Sequence, residues 1–61
     1  TGPVERCDTS TVIRHLECIK DEQDRTMYKS VSLKLIELAQ KKHPDTNYEY
    51  MRQILSSGFS E

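Results

Sequence analysis

The feature that most constrains this fold is the position of the residues that interrupt helices. The only prolines are Pro3 and Pro44, and the only glycines are Gly2 and Gly58. Residues 4–43 therefore contain neither of the two residue types that most disfavour a helix interior. The sequence also lacks Asn-Gly and Asp-Gly turns and any sustained alternation of apolar and polar residues, which are the signals of paired strands. We therefore predict an all-α domain.

The spacing of apolar residues predicts three helices, at approximately 9–20, 26–43 and 46–57, packed as a small three-helix bundle. Each helix has an apolar stripe that we assign to the core. These stripes are Val12, Ile13, Leu16 and Ile19 in the first helix, Tyr28, Val31, Leu35 and Leu38 in the second, and Tyr48, Met51, Ile54 and Leu55 in the third. The phase of the first stripe is lost across the polar run at 20–25. We therefore expect a turn there instead of one continuous helix.

The third helix has a signal at each end. Thr46 and Glu49 have the spacing of a capping box, in which the hydroxyl and the carboxylate each accept a hydrogen bond from a free backbone N–H. Pro44 ends the preceding helix. Gly58 suits the left-handed position after the last turn, with Phe59 packing back onto the helix. The candidate caps of the first helix are Asp8, Thr9 and Ser10.

The second helix has more apolar residues than one stripe needs, because Leu33 and Ile36 lie on the far side of the helix from Tyr28. Either neighbours cover this central helix on both sides, or Leu33 and Ile36 are exposed and bind another chain or a second copy. A chain of 61 residues buries only about 60% of its unfolded surface, and small domains often gain stability from a partner. We therefore expect a single domain over 1–61, with flexible ends at 1–7 and 59–61, that is either a monomer or a dimer.

The function that follows is a non-enzymatic protein–protein interaction module, a docking or homo-oligomerisation domain of a larger regulatory or scaffolding protein. The predicted partner-binding residues are Met27, Leu33 and Ile36.

Composition argues against several other classes of function. The net charge is −1, with nine basic and ten acidic residues well mixed, whereas a domain that binds nucleic acid usually has a basic excess. No apolar run approaches the ~20 residues that cross a bilayer, and no secretion signal is visible. We therefore expect no nucleic-acid or membrane partner and an intracellular protein, cytoplasmic or nuclear. Cys7 and Cys18 are then expected as reduced thiols, a bridge between them being the alternative.

No pattern in the sequence indicates catalysis or metal binding. Nucleophile, zinc-protease and phosphate-loop motifs are all missing. His15 and Cys18 are three residues apart and could share a helix face, but their spacing from Cys7 and His43 fits no common zinc site. We expect no catalytic residue, no metal and no cofactor.

The stretch LAQKKHPDTN at 38–47 resembles one known family. It matches the pattern of J domains, the Hsp70-activating modules of DnaJ-type co-chaperones, at Leu38, Ala39, Lys41, His43, Pro44, Asp45 and Asn47. The resemblance implies that His43, Pro44 and Asp45 contact Hsp70 and stimulate its ATP hydrolysis. Where that family carries basic residues earlier in the helix, this chain has Ile36 and Glu37. The alternative is local, since basic residues favour a helix C-terminus and proline stops the helix.

Overall fold

The described part of the computed structural model, residues 2–56, forms three α-helices and no strand. The helices are α1 (Thr9–Cys18), α2 (Glu22–Lys42) and α3 (Glu49–Ser56). The prediction of a small all-α three-helix bundle is confirmed. The largest error in the predicted bounds is at the start of α2, which begins four residues early. None of the helices in 2–56 combines the length and the apolar character that crossing a membrane requires.

The turn between α1 and α2 is shorter than the polar run suggests. The Asp21 carboxylate caps α2 by accepting a hydrogen bond from the backbone N–H of Asp24 at 3.0 Å. Arg25 of α2 donates hydrogen bonds to the carbonyl oxygens of Leu16 and Ile19 at the end of α1. The predicted break between the helices is confirmed, but an early carboxylate cap draws most of the polar run into α2.

The predicted capping box at the start of α3 is wrong. The side-chain oxygen of Asn47 accepts a hydrogen bond from the backbone N–H of Glu49 at 2.9 Å. The Glu49 carboxylate pairs with Arg52 at 3.1 Å instead of reaching back toward Thr46. An asparagine that bonds to the backbone two residues ahead thus replaces the threonine hydroxyl. The predicted roles of Gly58 and Phe59 at the C-terminus of α3 concern residues that lie outside the described part of the chain.

The segment before α1 is folded, although the sequence predicts a flexible N-terminus. The backbone N–H of Asp8 donates to the carbonyl oxygen of Pro3 at 2.8 Å, which closes a turn. Val4, inside this turn, is buried in the core. The hydroxyl of Tyr48 donates to the carbonyl oxygen of Glu5 at 2.8 Å. We call residues 2–8 the N-terminal turn. The burial of Val4 and the hydrogen bond from Tyr48 to Glu5 hold this turn against the rest of the domain.

The core lies on one side of α2. Its buried apolar residues are Val4, Val12, Leu16, Ile36, Ala39, Tyr48, Met51, Ile54 and Leu55. The predicted stripes of α1 and α3 supply most of these side chains. From α2 only Ser32, Ile36 and Ala39 are buried, and two of these three are small. The opposite side of α2 faces outward.

Candidate functional site

Four large apolar side chains are exposed along one side of α2. They are Met27, Val31, Leu35 and Leu38, with exposed fractions from 44% to 66%. Their spacing of four, four and three residues places them within about 80° of one another around the helix. Single exposed apolar residues are normal on a protein surface, whereas large contiguous apolar patches are typical of interaction sites. We call these four residues the α2 stripe.

The α2 stripe includes three side chains that the sequence assigns to the core, and the opposite face of α2 supplies the buried residues instead. Ile36 is fully buried, so its prediction as an exposed anchor is wrong. Leu33 is partly buried and packs against the core, which corrects its prediction as an exposed residue. Met27, the third predicted partner-binding residue, is exposed and belongs to the α2 stripe. The sequence shows two apolar faces, and the small residues Ser32 and Ala39 beside Ile36 are the signal of the face that neighbours approach closely.

An apolar groove runs beside the C-terminal half of the α2 stripe. Leu35 and Leu38 form one wall, and Pro3 and Val4 of the N-terminal turn form the other. The groove has a volume of ≈ 590 Å³ and is open to solvent, with Lys42 among its lining residues. No local sequence pattern indicates this groove, because one of its walls depends on how a distant turn folds. The groove widens the α2 stripe into a surface that can accept side chains of another molecule.

Charges of opposite sign lie at the two ends of the α2 stripe. Asp24 is in the first turn of α2, and Lys41 and Lys42 are in the last. Within residues 2–56, neither the Asp24 carboxylate nor the Lys41 ammonium forms an ion pair, while the Lys42 ammonium lies 3.3 Å from the Glu5 carboxylate. The Lys42 side chain is still 67% exposed, so its ammonium can accept a second partner.

The His43-Pro44-Asp45 tripeptide lies at the C-terminal end of α2, and its histidine contacts the N-terminal turn. His43 is the C-cap residue, and its Nε2 lies 2.9 Å from a carboxylate oxygen of Glu5. This hydrogen bond, with a further contribution from Lys42, lowers the pKa of the Glu5 carboxyl. Pro44 and Asp45 are exposed in the loop after the helix. The described contacts of the tripeptide are thus those of a helix end that also holds the N-terminus.

Other polar side chains form contacts between helices or are single cysteines. The Nδ1 of His15 lies 3.0 Å from the hydroxyl of Tyr28, which joins α1 to α2. Burial raises the pKa of Tyr28, against a smaller opposing effect of its hydrogen bond with Ser32. Cys7 and Cys18 are both free cysteines. Residues 2–56 contain no cluster of three or more side chains able to hold a metal ion.

Comparison with known proteins gives one match. A family model described as a domain of unknown function, DUF2520, matches residues 1–35. No curated protein and no solved structure matches the chain. The interpretation of LAQKKHPDTN as part of a J domain is wrong, because no J-domain model matches. The matched segment contains the N-terminal turn, α1 and the first three residues of the α2 stripe. Since it covers more than half of the sequence, the chain belongs to the DUF2520 family.

Proposed function

We propose that this domain is a non-enzymatic protein–protein interaction module that binds an amphipathic helix on the α2 stripe and in the adjacent groove. The observation that carries the proposal is the exposure of four large apolar side chains on one helix face. Apolar residues make up only 34% of the chain, so exposing these four side chains leaves fewer apolar residues for an already small core. A role in binding another chain accounts for that placement.

The dimensions of the surface suit a helix as the partner. The α2 stripe extends over about 17 Å, or three helical turns. A partner helix with apolar residues at intervals of three and four can match this length and insert a side chain into the groove between Leu38 and Val4. Each large apolar side chain that is fully buried in such a contact contributes roughly 1.5–3 kcal/mol. Four such positions together contribute a free energy of the same order as the cost of association, which is roughly 4–15 kcal/mol.

The test is selection of binding peptides from a displayed library of amphipathic helices. The selected peptides are then measured against wild type and against a Val31→Gln, Leu35→Gln double variant. Glutamine is a good helix former and adds no charge, so the double variant removes apolar surface and keeps α2. Tyr50→Gln is the matched control, because Tyr50 is 63% exposed on α3 and lies outside the α2 stripe.

We expect the selected peptides to lose at least tenfold in affinity for the double variant and to bind the Tyr50→Gln control like wild type. Far-UV circular dichroism of all three proteins establishes that the helices are retained. Peptides that bind the double variant as tightly as wild type would place the interaction surface elsewhere and refute the proposal.

A further inference from the structure

We infer that the helix received by the α2 stripe is α2 of a second copy of this chain, lying antiparallel across a two-fold axis. The inference rests on the proposed function, because it names the partner of the same surface. In a two-fold contact the same patch serves both molecules, so the patch must complement itself. Three features of α2 meet that requirement.

The first feature is the symmetric spacing of the apolar residues. The segment from Met27 to Leu38 has its midpoint beside Leu33. When two antiparallel helices cross at this level, Val31 of one copy lies opposite Leu35 of the other. Met27 of one copy then lies near Leu38 of the other. Each exposed apolar side chain of the α2 stripe thus faces an apolar side chain of the second copy.

The second feature is the arrangement of charge. Asp24 and Lys42 are 18 residues apart, which is five turns, so they lie on the same side of α2. The midpoint between them is Leu33, the level of the proposed axis. The Asp24 carboxylate of each copy therefore lies beside the Lys42 ammonium of the other, giving two ion pairs. A parallel arrangement would place like charges together, and antiparallel helix dipoles also attract.

The third feature is the groove. Met27 is the most exposed side chain of the α2 stripe, at 66%. In the antiparallel arrangement Met27 of the second copy arrives level with Leu38, where the groove opens toward Pro3 and Val4. A methionine side chain is flexible and fills irregular apolar spaces well. The groove, which the described chain leaves open, is thus filled by the neighbouring copy.

The other flank of the α2 stripe brings the Lys34 side chains of the two copies near the two-fold axis, where an ion pair within each helix offsets their like charges. Lys34 lies on this flank, and its ammonium is 3.1 Å from the Glu37 carboxylate of the same helix. Lys41 lies about 100° around the helix from Lys42, on the same flank as Lys34. In the antiparallel arrangement Lys41 lies level with Arg25 of the second copy, whose guanidinium donates instead to the carbonyl oxygens at the end of α1. The attraction between the two copies thus depends on the pairing of Asp24 with Lys42, and reversing either charge tests it.

The experiment uses Asp24→Lys and Lys42→Glu, alone and mixed. Native mass spectrometry counts homodimers and heterodimers, and sedimentation equilibrium gives the dissociation constant of each sample. We expect each variant alone to dimerise about tenfold more weakly than wild type, because two ion pairs become two like-charge contacts. An equimolar mixture regains the wild-type affinity as a heterodimer, since both of its cross-pairs are then attractive.

Two further variants make the result specific. Lys41→Glu changes the net charge as Lys42→Glu does but acts on the other flank, so it should leave the dimer affinity within about threefold of wild type. The Val31→Gln, Leu35→Gln variant should be monomeric. It leaves the ion pair between Lys42 and Glu5 in place, so its effect reports on the apolar contact alone. Circular dichroism confirms that each variant is folded.

A wild-type dimer that is indifferent to the single reversals, or a mixture that fails to form the heterodimer, would overturn the antiparallel arrangement. A monomeric wild type would overturn the inference altogether. In that case the peptide selection still decides the proposed function, because peptides specific for the α2 stripe would show a docking surface for a different chain.

Discussion

Cys7 occupies a backbone conformation that side chains disfavour. Its φ is 59°, in the left-handed region, where a Cβ atom costs roughly 1–2 kcal/mol. The side chain gains some of this back, because it packs against the core and its thiol donates a weak hydrogen bond to the carbonyl oxygen of Asn47 at 3.6 Å. The turn therefore balances a backbone cost against a side-chain contact.

Substitution at Cys7 separates these two effects. Alanine removes the side-chain contact and keeps the backbone cost, whereas glycine removes both. We predict that Cys7→Gly is more stable than Cys7→Ala by about 1 kcal/mol in chemical denaturation, since only glycine adopts a positive φ freely. An alanine variant equal to or more stable than the glycine variant would show that the left-handed turn is not maintained in solution.

Glu5 makes the stability of the N-terminal turn depend on pH. The hydrogen bond from His43 and the contact with Lys42 hold the pKa of the Glu5 carboxyl below its ordinary value of 4.5. A carboxyl whose pKa is lower in the folded state stabilises the fold above the unfolded pKa. This contribution disappears as the pH falls through the folded pKa.

We predict that Glu5→Gln destabilises the protein at neutral pH and that its difference from wild type shrinks as the pH falls below 4.5. Thermal unfolding across a pH series measures both effects. Glu17→Gln is the control, because Glu17 is an exposed carboxylate of α1 with no ion pair among the described residues. A difference between Glu5→Gln and wild type that persists unchanged into acid would contradict the role of this carboxylate.

At the scale of a helix, the assignment of the two faces of α2 makes a direct prediction. Ile36 is fully buried, and Leu35 beside it is 44% exposed. We expect Ile36→Ala to lower the free energy of unfolding by about 2–4 kcal/mol, because it leaves a cavity in the core. Leu35→Ala should change it by less than about 0.5 kcal/mol in dilute solution. Similar losses for the two variants would mean that both faces of α2 are covered.

The helices show which parts of this fold the sequence can predict. Most of the large apolar side chains of α1 and α3 lie on one face, so periodicity alone identifies their core residues correctly, as for Leu16 and Met51. α2 carries apolar residues on two faces, and periodicity does not distinguish the face that its neighbours cover from the face that they leave open. The bounds fail for a related reason, because Asp21 and Asn47 compete with other polar residues as caps, and tertiary contacts select among them.

At the scale of the whole molecule, the candidate site depends on contacts between distant parts of the chain. The hydrogen bond from Tyr48 to Glu5 and the burial of Val4 hold the N-terminal turn against the loop before α3. These contacts create one wall of the groove, and no local sequence pattern near Pro3 predicts them. The tripeptide at His43 shows the converse, since a familiar local pattern serves here to end a helix.

The measurement that tests self-association through the α2 stripe most directly is a dilution series followed by nuclear magnetic resonance of the labelled wild-type protein. We predict that the methyl signals of Met27, Val31 and Leu35 shift as the concentration falls, while the signals of Tyr50 on α3 stay unchanged. Such a result would show that copies meet through the α2 stripe. Signals that are independent of concentration throughout, or shifts confined to the outer face of α3, would contradict it.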